Sequence, residues 1–206
     1  MRISTTHKFI ALANPRCAST SVREMINRYC DFRSNINCDL KHHSSLRTVE
    51  AFLSERGFDL DDFFIFTTVR NPWDRAVSIY HYGLKNTKSA WHQPAAGAGT
   101  FKKFLYTDMM ARHFRPTPPL TALPEGPYDV DTFMRDSKGN DRGRIFRLEE
   151  LHMIESVLKQ EAGIDVKLPH VNATDRTAYR DYYDDESQHQ VAFLFEKDIK
   201  RFDYTF

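Results

Sequence analysis

Hydrophobic residues gather into short unbroken runs, and each run gives way to a polar turn and then to a helical repeat. Residues 8–13 (KFIALA) form an apolar run that stops at Asn14-Pro15, the pattern of a buried strand ending in a turn. From Ser19 onward Val22, Met25, Ile26 and Tyr29 recur at helical spacing, which predicts one apolar helix face behind a Ser/Thr cluster suited to capping. The pattern returns at residues 63–69 (FFIFTTV), an aromatic and β-branched run without polar alternation, as expected of a strand covered on both faces. Asn71 suits an N-cap and Pro72 the first helical position, after which Trp73, Ala76, Val77 and Tyr80 keep helical spacing.

Between these two strand-turn-helix units, residues 44–56 read as a helix with Gly57 just beyond its end. The alternation predicts an α/β fold built on a parallel sheet. Residues 83–143 are punctuated by Pro and Gly, with one predicted helix over residues 101–114, and long loops of this kind often form lids or substrate walls. Regular structure then resumes with a strand at residues 144–148, a helix over 149–162 closed by Gly163, and a helix over 185–202.

A length of 206 residues fits one domain, so we expect residues 1–206 to fold together, with 83–143 as an insertion that binds substrate or forms a lid. With 41% apolar and 28% charged residues the chain has the composition of a globular protein, which excludes disorder as its main state. Lys plus Arg number 29 and Asp plus Glu 28, a net charge of +1 that offers no global field for nucleic acid or an anionic membrane. Any anion site must therefore be local. No run approaches the roughly 18–20 apolar residues of a membrane span, and the start Met1-Arg2-Ile3-Ser4 lacks the apolar core of a signal peptide. The expectation is a cytoplasmic protein. Cys17, Cys30 and Cys38 form no CxxC pair, so free thiols are expected, with neither a structural disulfide nor a metal site. Oligomeric state is left open.

In open α/β sheets ligands bind beyond the carboxyl ends of strands, and two such ends carry unusual polar groups. The segment from Arg16 through Cys17, Ala18, Ser19 and Thr20 to Ser21 opens a helix, whose N-terminus presents N–H groups and the positive end of the dipole to an anion. Three hydroxyls and a guanidinium add to it. The glycines and lysine of a Walker A loop are absent, which argues against an ordinary kinase or ATPase. At the second strand end, Arg70 can grip a phosphate bidentately and Ser78, roughly two turns into the helix, can add a donor. Two anion sites at strand ends suggest a ligand with two separated phosphates.

PRCASTS after the first strand, VRNPWDRAVSIY after the second, and LPHVNATDRTAYRDYYDDES with VAFLFEKDIKRFDYTF at the end resemble the carbohydrate sulfotransferase family related to heparan sulfate 2-O-sulfotransferases. The resemblance spans residues 8–82 and 144–206. It implies a P-loop-like three-layer α/β fold, with a central parallel sheet flanked by helices, and an enzyme that moves a sulfuryl group from 3'-phosphoadenosine 5'-phosphosulfate (PAPS) to a hydroxyl, on a saccharide by analogy, leaving adenosine 3',5'-bisphosphate (PAP). Carried over by position, residues 16–21 cradle the 5'-phosphosulfate while Arg70 and Ser78 hold the 3'-phosphate. The family's catalytic Lys falls at Arg16, a poor proton donor that can still stabilise charge on the departing phosphate. The base falls at His42, with His43 in reserve, and Asn172, Thr174 and Arg176 fall in the segment that folds over the nucleotide.

Plainer readings stand beside these. Ser19, Thr20 and Ser21 would serve as ordinary helix caps, and Arg75 would pair at the surface with the acids of residues 59–62. Tyr179, Tyr182 and Tyr183 are expected to pack against the core rather than stack on a ligand, Cys17 to act as a small filler, and the sequon at Asn172 to be accidental. A non-catalytic PAP-binding module and a divergent P-loop phosphotransferase are the competing functions. The acceptor could carry a sugar, lipid, phenol or tyrosine hydroxyl.

Overall fold

The computed structural model describes residues 1–114, 129–169 and 177–206. In chain order its elements are β1 (Arg2–Ser4), β2 (Phe9–Ala11), α1 (Ser19–Ile26), β3 (Phe32–Arg33), α2 (Leu46–Ser54), β4 (Phe64–Val69), α3 (Pro72–Lys85), α4 (His92–Ala98), α5 (Phe101–Leu105), α6 (Asp108–Phe114), α7 (Val130–Phe133), β5 (Arg144–Arg147), α8 (Met153–Ala162), α9 (Asp185–Leu194) and α10 (Glu196–Phe202). They fall into two compact units, Met1–Val69 with Val130–Thr174 and Arg70–Asp129 with Asp175–Phe206. The segment 83–143 divides between them, since its residues from Val130 onward belong to the first unit.

The first unit holds a sheet in the order β3-β1-β2-β4-β5. The expected parallel pairing holds for β2 with β4 and β4 with β5, where Ile10 lies opposite Ile65 and Thr67 opposite Ile145. Two strands that the sequence did not signal extend the sheet as antiparallel partners: β1 pairs with β2 through Ile3 and Ile10, and β3 pairs with β1 through Phe32 and Ile3. Three and two residues long, they are too short to establish a period. Phe9, Ala11, Phe66 and Phe146 share one face of the sheet and pack with Val22, Met25 and Ile26 of α1 and Ile154, Val157 and Leu158 of α8. Each such aliphatic or aromatic side chain contributes about 1.5–3 kcal/mol on burial. Helix α2 buries Leu46, Val49, Phe52 and Leu53, and Phe52 meets Phe32 of β3 edge to face. Gly143, at φ 92°, lets the chain enter β5 against β4, because a Cβ there would lie 2.5 Å from the carbonyl oxygen of Ile65.

The second unit is helical among the described residues. Its predicted helix over 101–114 is broken into α5 and α6, because Thr107 turns its hydroxyl back to donate to the carbonyl of Phe104 at 2.8 Å. The predicted helix over 185–202 breaks at Phe195, which stacks on Phe114 with ring centroids 4.2 Å apart. Packing of one aromatic residue overrides the continuous helical pattern there. Arg75 overturns its surface reading: it is 1% exposed, lies over the rings of Phe114 and Phe195, and pairs with buried Asp198 at 3.4 Å. Of the acids it was expected to meet, Asp61 pairs with Arg142 and Asp62 with Lys8. The tyrosines pack as expected: Tyr183 donates to the carbonyl of Trp73 at 2.8 Å, Tyr182 meets His81 at 2.9 Å, and Tyr179 abuts Phe206. Among the described residues no helix is long and apolar enough to cross a membrane.

Candidate active site

In the first unit the chain leaves β2 through Leu12, whose N–H extends the ladder to the carbonyl of Phe66 at 2.9 Å. It then turns through a loop with two non-glycine residues in the left-handed region, Arg16 at φ 61° and Ala18 at φ 59°. Each costs roughly 1–2 kcal/mol, and such strain persists only where surrounding structure holds it. Here β4 holds it. Thr68 donates its hydroxyl to the carbonyl of Cys17, buried Asn14 donates its Nδ2 to the carbonyl of Thr68 at 3.2 Å, and the Cys17 N–H closes the turn onto the carbonyl of Asn14 at 3.3 Å. The Cys17 side chain is fully buried and its thiol donates to Pro15, as a filler would.

Helix α1 follows directly. Its N-cap is Ala18, and no side chain caps it, so the capping reading of Ser19, Thr20 and Ser21 is overturned. The left-handed geometry of Ala18 replaces the usual extended cap residue whose side chain would turn back. The first helical bond runs from Val22 N–H to Ala18 carbonyl at 3.1 Å, so the amides of residues 19–21 precede it at the positive end of the dipole. Alternating backbone handedness before a helix N-terminus forms a concave row of N–H groups suited to phosphate oxygens. The guanidinium of Arg23 links this turn to a histidine. Its Nε donates to the Ser19 carbonyl at 3.1 Å, its Nη2 to the Thr20 hydroxyl at 3.1 Å, and its Nη1 lies 3.3 Å from His42 Nδ1.

His42 and His43 meet edge to face with ring centroids 4.7 Å apart, but their surroundings differ. His42 Nδ1 also lies 3.2 Å from the Ser34 hydroxyl. Burial, and then the neighbouring basic groups (the Met1 amine, His43, Arg23 and Arg2), push its pKa down to about 2. His43 Nδ1 lies 2.6 Å from the carbonyl of Ala13, on the segment between β2 and the loop. A carbonyl can only accept, so Nδ1 carries the proton and Nε2 the lone pair. Position in the sequence favoured His42 as the base, whereas the hydrogen bonds give His43 the geometry of one.

In the second unit Arg70 precedes α3 and donates from Nε to Asp74 at 2.6 Å, one turn along. This bond fixes the orientation of the guanidinium relative to the start of α3. Asn71 caps α3 as expected by accepting from the Trp73 N–H at 3.1 Å, with Pro72 at the helix start. Its amide also donates to the carbonyl of Thr205 at 2.9 Å, fastening the helix start to the C-terminal segment. Ser78 is buried on α3. Asn172, Thr174 and Arg176 lie outside the described residues.

Sequence reading missed Asn14, Thr68 and Arg23. A signal existed for the first two, since polar residues closing otherwise apolar strands stand out, but Thr67 and Thr68 also satisfy the β-branched preference and so conceal it.

Comparison with curated proteins finds no match in sequence. The crystal structure of mouse sulfotransferase SULT7A1 complexed with PAP superposes with a TM-score of 0.57 at 15% identity, covering 96% of this chain and 86% of that one, a likeness of fold. The model of the Sulfotransferase family matches residues 1–205, and the chain belongs to that family.

Proposed function

We propose that the protein transfers a sulfuryl group from PAPS to a hydroxyl of a carbohydrate. The observation that carries this reading is the loop from Asn14 to Ala18, held in left-handed geometry by β4 and opening α1 at a run of three hydroxyl residues. Residues 16–21 would hold the 5'-phosphosulfate, and Arg70 with Ser78 the 3'-phosphate. The structural neighbour was solved with PAP, the product this transfer would leave.

In the reaction the acceptor oxygen forms a bond to sulfur while the bond from sulfur to the phosphate oxygen breaks, in line. The hydroxyl proton passes to His43 Nε2, whose Nδ1–H stays on the carbonyl of Ala13. Arg16 and the loop N–H groups meet the charge that grows on the departing phosphate. An arginine suffices there, because a phosphate leaving group needs charge stabilisation more than a proton. We assign acceptor recognition to residues 83–143, and a saccharide as the acceptor by analogy with the related carbohydrate enzymes.

Thermal unfolding with PAP, with ADP plus Mg²⁺ as control, tests the donor site. At roughly a hundred times Kd the ligand adds about 2.7 kcal/mol, a rise of about 5–10 °C. Stabilisation by ADP alone would return the phosphotransferase reading. Transfer of labelled sulfuryl to saccharides, set against phenols, lipid hydroxyls and tyrosine peptides, tests the acceptor. Arg16 in place of lysine is the one feature that favours a binding-only module, and PAP binding with no transfer to any of these acceptors would establish that alternative.

A further inference from the structure

We propose that Arg23 is a positioning residue for the transfer, joining the first turn of α1 to the histidine pair and holding His42 as a neutral Nε2–H donor, so that His43 alone serves as base. The inference rests on the function proposed above and assigns a task to a residue that the sequence motifs pass over.

A guanidinium has five N–H donors and no lone pair, so wherever Arg23 meets another polar atom that atom must accept. Its fork engages, among others, the Ser19 carbonyl, the Thr20 hydroxyl oxygen and His42 Nδ1. At His42 the consequence is a fixed tautomer, because an Nδ1 that accepts forces the ring proton onto Nε2. Such a ring has no lone pair at Nε2 and cannot take a proton from an acceptor hydroxyl. At His43 the opposite holds, since its Nδ1–H donates to Ala13 and the lone pair is at Nε2. Two adjacent imidazoles are thus held in opposite tautomers, one a donor and one a base.

At Thr20 the same logic applies. Its oxygen accepts from Arg23, so its own proton remains for an acceptor, and a phosphate or sulfonate oxygen at the α1 N-terminus is one. A single side chain therefore sets the hydrogen-bond direction of a hydroxyl in the donor loop and of the histidine beside the base. Burial and the neighbouring guanidiniums of Arg23 and Arg2 oppose a charge on His42, so it stays neutral while His43 takes the proton.

The test uses the whole chain labelled with ¹⁵N-histidine, with the His42 signals assigned by their loss in His42→Gln. Expected for the wild type is a His42 ring with unprotonated Nδ1 and protonated Nε2, unchanged across roughly pH 5–8. In Arg23→Met the Nδ1 site should become protonated and titrate at higher pH, while kcat falls on the order of tenfold to a hundredfold and PAP affinity changes less. Arg23→Lys, whose three donors sit on a single nitrogen without the planar fork, should recover the His42 tautomer or the Thr20 contact but not full kcat. A wild-type His42 that titrates normally or carries its proton on Nδ1 would overturn the proposal, as would an Arg23→Met protein with wild-type kcat. Calorimetry of the wild type with PAP reads the underlying function separately: absent binding would sink that reading, whereas intact binding with an unaltered tautomer in Arg23→Met would sink only this one.

Discussion

Thr68 of β4 donates its hydroxyl to the carbonyl of Cys17, and so ties the end of a strand to the loop between two left-handed residues. The bond is buried, and its loss leaves a carbonyl without that donor. Thr68→Val keeps the shape and removes the donor, so stability should fall by about 1–3 kcal/mol in urea unfolding. PAP affinity should fall with it, while Thr68→Ser should retain both. A Val variant with wild-type affinity would show that the loop holds its form without β4.

Ala18 at φ 59° occupies a conformation that glycine adopts without steric cost. Ala18→Gly relieves roughly 1–2 kcal/mol of strain and returns about 0.5–1 kcal/mol through the entropy of the unfolded chain. The expected outcome is a gain of about 0.5–1 kcal/mol. Urea midpoints of the two proteins check it, and a loss of stability would mean that surrounding contacts depend on the Ala18 methyl.

Arg70 is aligned by Asp74 through Nε. Arg70→Ala should weaken PAP by about 1.5–3 kcal/mol, the range of hydrogen bonds to charged groups, with little change in the unfolding midpoint. Asp74→Asn should weaken PAP by a smaller amount, because the guanidinium stays but loses its fixed orientation. Calorimetric titration with PAP against adenosine 5'-phosphate separates the 3'-phosphate contribution: equal losses for both ligands would remove Arg70 from the 3'-phosphate site.

Arg75 and Asp198 form a buried ion pair, with side-chain exposures of 1% and 6%. Removing one partner takes a counter-charge from a buried ion, so Asp198→Ala should cost about 3–5 kcal/mol. The double replacement Arg75→Met with Asp198→Leu should recover most of that, since well-packed apolar pairs often equal buried ion pairs. Denaturant unfolding of the three proteins measures the difference, and an additive loss in the double variant would refute the account.

His42 gives the protein a pH dependence whose sign is fixed. Its pKa is held at about 2 in the folded chain against 6.5 in the unfolded one, so below pH 6.5 the unfolded state binds a proton that the native state does not. Its contribution is present above the unfolded value and is lost as pH falls toward the folded value. From roughly pH 7 to roughly pH 5 this should remove on the order of 1–2 kcal/mol. His42→Gln should flatten that part of the stability profile; a slope unchanged in the variant would assign the loss to other groups.

Much of the candidate site could be read from the chain, because its elements are local. Residues 16–21 open a helix after a strand, and Asn71 with Pro72 opens another, since apolar periodicity and cap chemistry act within a few residues. Boundaries failed where a distant contact intervened. Phe195 ends a helix by stacking on Phe114, far away in sequence, and Arg75 turns inward to meet Asp198. No local pattern carries such information. The same holds for β1 and β3, whose two or three residues become strands only because β2 offers a paired edge.

The amino-acid sequence by itself determined the alternation of strands and helices and the family, because short-range propensities and motif spacing encode these directly. The tertiary structure alone decided how the polar groups are aimed. Whether Ser19, Thr20 and Ser21 cap a helix, what holds a strained loop, and which ring nitrogen of each adjacent histidine carries the lone pair all depend on partners remote in the chain: Thr68 for Cys17, Ala13 for His43, and Arg23 for His42. A hydrogen bond fixes direction through its partner, and those partners come together only when the chain folds.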